Sequence, residues 1–72
     1  MAQKATVVIE KDEDGYYAYC AELEGCQTQG ETVEEVLRNI KEAIALYLST
    51  LTEEEKQSLL SREVLTATVE VA

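Results

Sequence analysis

The 72-residue sequence contains no histidine, tryptophan, phenylalanine or proline, and its basic residues are few. Without histidine there is no imidazole base at neutral pH, no Ser/His or Cys/His nucleophile pair and no His-ligated metal. Six basic residues stand against fifteen acidic ones, a formal net charge of -9. A phosphate backbone is repelled by such a surface, so direct nucleic-acid binding is not expected. No apolar run approaches the ~18 residues of a spanning helix, so no membrane partner is expected either. The start, Met1-Ala2-Gln3-Lys4, lacks the charged and long apolar regions of a secretory leader, which points to the cytoplasm.

What is present describes a folded chain: 46% of residues are apolar and 29% charged. Its length suits a single domain over residues 1–72, without a C-terminal DNA-binding domain. Cys20 and Cys26 are read as thiols in a reducing compartment, buried as small apolar side chains; a disulfide or a shared metal is the alternative.

The run 5–11 (ATVVIEK) predicts a strand, and Asp12-Glu13-Asp14-Gly15 a hairpin turn. Residues 16–23 (YYAYCAEL) predict a second strand, with Tyr17, Tyr19, Ala21 and Leu23 on one face and Tyr16, Ala18, Cys20 and Glu22 on the other. Gly25 turns the chain, residues 26–29 form a short third strand, and Gly30 ends it. Thr32 and Glu35 spell a capping box. From there Val33, Val36, Leu37, Ile40, Ala43, Ile44, Tyr47, Leu48 and Leu51 recur at helical spacing. Thr52-Glu53-Glu54-Glu55 is a second box that opens a further turn or two of helix. Leu65, Ala67, Val69 and Val71 then alternate with Thr66, Thr68 and Glu70, the pattern of a half-buried fourth strand. The expected class is α+β, a two-layer β-β-β-α-β sandwich.

The run Tyr17-Ala18-Tyr19-Cys20-Ala21-Glu22-Leu23-Glu24-Gly25-Cys26 is followed by Gln29-Gly30-Glu31-Thr32. Glu34-Glu35-Val36-Leu37-Arg38-Asn39-Ile40-Lys41-Glu42-Ala43-Ile44 comes next. Together these resemble the HicB-like antitoxin family over about two thirds of the chain. The motif positions are Glu22, Leu23, Gly25, Cys26, Gly30, Thr32, Asn39, Glu42 and Ala43. Members often carry proline where Ala21 and Glu24 stand here, so the turn has lost two fixed φ angles. The resemblance implies a truncated ribonuclease H-like fold. It further implies a non-enzymatic antitoxin that neutralises a small basic HicA-type mRNA-cleaving ribonuclease toxin by protein-protein contact, and it implies no cofactor.

Gly25, Gly30 and the Thr32/Glu35 box are explained by turn, junction and cap, and Asn39 by a bond to a neighbouring strand or turn. Tyr16, Tyr17 and Tyr19 cannot all pack beneath one helix, so part of that cluster is expected to meet a partner. Glu10, Asp12, Asp14 and Glu22 could imitate the metal-binding acids of ribonuclease H enzymes. The preferred reading makes them an acidic surface that steers a basic partner. The competing function is a stand-alone oligomeric domain with a regulatory or small-ligand role and no toxin; an enzyme built on the carboxylates trails both. A chain this short, with neither a disulfide framework nor a metal, is also expected to self-associate as a dimer or tetramer.

Overall fold

The valine-rich start of the chain and the aromatic segment after it pair through a two-residue turn. In the computed structural model, which describes residues 4–72, β1 (Val7–Asp12) and β2 (Gly15–Cys20) form this antiparallel hairpin. Met1, Ala2 and Gln3, part of the leader reading, lie outside the described residues. Asp12 Oδ1 accepts from the Asp14 N–H at 2.9 Å, and Gly15 supplies a φ of 131°. Asn and Asp favour turns for this reason, because the side chain replaces a backbone acceptor.

β3 (Gln27–Gly30) adds antiparallel to β2, giving the sheet order β1-β2-β3. α1 (Val33–Ser49) crosses β3 and β2, and α2 (Glu53–Leu60) follows. The architecture is a three-stranded antiparallel sheet plus two helices, an α+β fold. Ala18, Cys20, Leu23, Cys26, Val36 and Ile40 form the buried core between the layers. Gly30 lets the layers meet closely: a Cβ there would stand 2.7 Å from the Val36 nitrogen.

Three expectations are corrected. β2 ends at Cys20, so Leu23 does not continue the Tyr17/Tyr19 face. The Leu23 N–H donates to Cys20 O at 3.4 Å and the Cys26 N–H to Leu23 O at 3.1 Å, a turn that folds Leu23 into the core. At α1 only the N-cap bond forms, from the Glu35 N–H to Thr32 Oγ1 at 3.0 Å; the complete box closes at Thr52 and Glu55 of α2. The third correction is the fourth strand. Residues 63–72 form neither helix nor strand, and Leu65, Val69 and Val71 are 82%, 73% and 83% exposed. Alternation defines two faces, but a strand also needs a neighbour to complete its ladder, and this segment lies on none.

Candidate functional site

β2 divides the three tyrosines by parity. Tyr16 shares the α1 side of the sheet with Lys11, Ala18 and Cys20, while Tyr17 and Tyr19 project from the opposite side and line a hollow of about 700 Å³ with Tyr47 of α1, Ser58 and Leu59 of α2, and Arg62. All three are half-buried. Lys11 Nζ lies 5.7 Å from the centroid of the Tyr16 ring, a cation–π distance. The Tyr17 and Tyr19 centroids are 5.9 Å apart, and the Tyr17 hydroxyl donates to Gln27 Oε1 at 2.7 Å. Exposed Glu10 pairs with Tyr17 in register and shares this face.

The hairpin tip and the strand-helix junction come together because Tyr16 pairs with Lys11 on one side and Gly30 on the other. Between them lies a hollow of about 360 Å³. Asp12, Asp14, Glu31 and Glu35 line it beside Tyr17 and Gln29, and none of its lining residues is basic. Sequence reasoning singled out Asp12 and Asp14 but missed Glu31 and Glu35. The Thr32/Glu35 signal had been absorbed by the cap; the missing reciprocal bond leaves the Glu35 carboxylate to this hollow.

Glu22 belongs elsewhere. It is 4% exposed, and its oxygens accept from the Thr6 N–H at 2.7 Å and the Thr6 hydroxyl at 2.9 Å. Burial alone would raise its pKa, but these bonds outweigh that and hold the carboxyl below the usual range. The Cys20 thiol donates to Glu22 Oε1 at 3.5 Å. Both cysteines are free and buried, and burial pushes both thiols up. Glu22 therefore ties the start of β1 to the end of β2 and offers no open carboxylate to a partner.

The remaining motif positions serve the frame. Gly25 turns with a φ of 83°. Asn39 Nδ2 donates to Gln29 O at 3.0 Å, fixing α1 over β3. Ala43 packs against the core, Cys26 is inside it, and Glu42 is exposed. Among the described residues, no three His, Cys, Asp or Glu side chains are placed to share a metal ion, and no helix is long and apolar enough to cross a membrane.

Residues 5–70, which include this turn, the junction glycine and the Asn39-anchored helix, match the family model described as HicB-like antitoxin of bacterial toxin-antitoxin system. The chain belongs to the HicB-like antitoxin family. It is similar to a UPF0150 protein of Helicobacter pylori, with 51% identity over 65 residues covering 90% of each chain. A UPF0150 protein of Thermoplasma acidophilum is 57% identical over 49 residues, 67% of this chain and 71% of the relative. One from Synechocystis is 53% identical over 47 residues, 64% and 60% respectively. No solved structure matches.

Proposed function

We propose that this chain is an antitoxin that neutralises a small basic ribonuclease toxin of HicA type by covering it. The observation that carries this reading is the hollow in which Asp12, Asp14, Glu31 and Glu35 converge without a basic neighbour among its lining residues. Such a patch accelerates and orients the encounter with a basic surface. The adjoining Tyr17 and Tyr19, half-buried on the side of the sheet that carries Glu10, supply the aromatic contact area on which interfaces depend. Binding, with no chemical step and no cofactor, accounts for the site in a protein acting in the cytoplasm.

The same reading includes self-association. A core of six buried residues is small for an independent domain, and both outer edges of the sheet are free among the described residues. A dimer, or a tetramer built from dimers, would complete the truncated ribonuclease H-like sheet.

Co-expression with a small basic ribonuclease toxin of HicA type tests the reading. Wild type is expected to restore growth and to bind with an association rate that falls as salt rises. The double substitution Asp14→Lys and Glu31→Lys changes two exposed side chains and is expected to abolish rescue while the protein still folds. Rescue that survives this reversal would remove the acidic hollow from the interface.

A further inference from the structure

Two features of the structure are each incomplete. The first is the outer edge of β1, unpaired among the described residues, with an apolar gutter beside it. Val7 and Ile9 face the helix side, in register with Cys20 and Ala18. The bond from Asn39 to Gln29 O sets one flank of α1 against β3. At 100° per residue, Val33, Leu37, Ile44 and Leu48 lie on the opposite flank, toward β1. Ile9, Val33 and Leu37 are 36–39% exposed, so this gutter is only part-filled. The second feature is the segment 65–71, an amphipathic strand sequence with its apolar side in solvent. Its seven residues, about 23 Å at ~3.3 Å per residue, are enough to run the roughly 20 Å of the six-residue β1.

Charge selects the direction in which they combine. Run parallel to β1 with Leu65 beside Val7, the segment would set Glu70 beside Asp12, a like-charge pair that destabilises a sheet. Run antiparallel with Val71 beside Val7, it sets Val69 beside Ile9 on the gutter side. On the other side, Glu70 then meets Val8, Thr68 meets Glu10 and Thr66 meets Asp12.

While the Arg62 bond holds, the chain's own tail does not reach the antiparallel pairing. The Arg62 guanidinium donates to Ala21 O at 3.1 Å, and the Ala21 N–H donates to Thr6 O at 2.9 Å, so Arg62 is held at the Thr6 end of β1. Leu65 would have to start at the far end, about 20 Å away, and three residues span at most about 11 Å.

We propose that two copies of this chain exchange their C-terminal segments, residues 65–71 of each adding antiparallel to β1 of the other. Exchange of an identical element between protomers, here onto a free edge, gives a closed two-fold dimer and hides the β1 edge of each copy and both apolar segments. This rests on the self-association proposed above and names its surface.

The test is light scattering across a dilution series, together with isotope-filtered NMR on a mixture of labelled and unlabelled full-length chains. The expected result is a 16 kDa species, twice the 8.0 kDa chain, with intermolecular contacts between the methyl groups of Val69 and Ile9. Val69→Glu, at an exposed position, is expected to raise the dimer dissociation constant at least about tenfold, and Ile9→Lys to do the same from the other side. A dimer with no such intermolecular contacts would overturn the exchange while leaving self-association standing. An 8 kDa species at all concentrations would overturn both.

Discussion

β2 and the segment 65–71 carry the same kind of alternation, yet one is the centre of the sheet and the other is bare. β2 is hydrogen-bonded to β1 and β3 and has Ala18 and Cys20 inside the core. In 65–71, Leu65, Val69 and Val71 face solvent. The intrinsic pattern is not what separates them. β2 is joined to both neighbours by short turns, at Glu13-Asp14 and around Gly25, so its partners arrive with little loss of chain entropy. Residues 65–71 follow two helices, and Arg62 is fastened to the β2 end. Alternation specifies a face; connectivity decides which neighbour meets it.

The sharpest way to break the paired region is Ile40→Ala. Ile40 is fully buried beneath the sheet, and its truncation is expected to lower unfolding free energy by roughly 2–5 kcal/mol, readable as a shift of the urea midpoint. For a domain of this size that loss is a large part of the whole.

A smaller and pH-dependent effect is expected from Glu22→Gln, which keeps an acceptor for Thr6 but removes the charge, at about 1–2 kcal/mol near neutral pH. The folded pKa of Glu22 lies below that of the unfolded chain, near ~4.3 for an ordinary glutamate. Its stabilisation is therefore full above that value and is lost as pH falls through the lower, folded one. Denaturation series between neutral pH and about pH 3 should show the variant approaching wild type in acid; parallel curves would mean that the Thr6 bonds do not depend on ionisation.

The smallest effect belongs to the bare segment. Val69→Thr, measured by thermal unfolding at high dilution, is expected to stay within about 0.5 kcal/mol of wild type, because the side chain is mostly exposed. A larger loss at that dilution would show that the segment already contributes to the single chain.

Much of the frame was legible. Asp12 through Gly15 marked the hairpin, Thr32 the start of α1 and Thr52 the start of α2, because turn and cap chemistry is local. Glu22 was not legible: β2 ends at Cys20, so strand parity does not reach it, and the acid expected on a partner-facing surface is buried in the turn. Its partner Thr6 lies sixteen residues earlier, and nothing local marks that contact. The acidic hollow was half legible for the same reason: Asp12 and Asp14 sit on one turn, whereas Glu31 and Glu35 reach it only through the pairing of Tyr16 with Gly30. The fourth strand was legible as a pattern and wrong as an element of this single chain.

The two buried thiols give the molecule an internal clock. Because Cys20 and Cys26 are free, enclosed and kept in the neutral form, an alkylating reagent reacts only when the β2–β3 turn opens and the sulfur ionises. When labelling outpaces reclosing, its rate counts those openings directly. The chain thus reports its own breathing at the centre of the fold without an added probe, and any partner that clamps the sheet will slow the count.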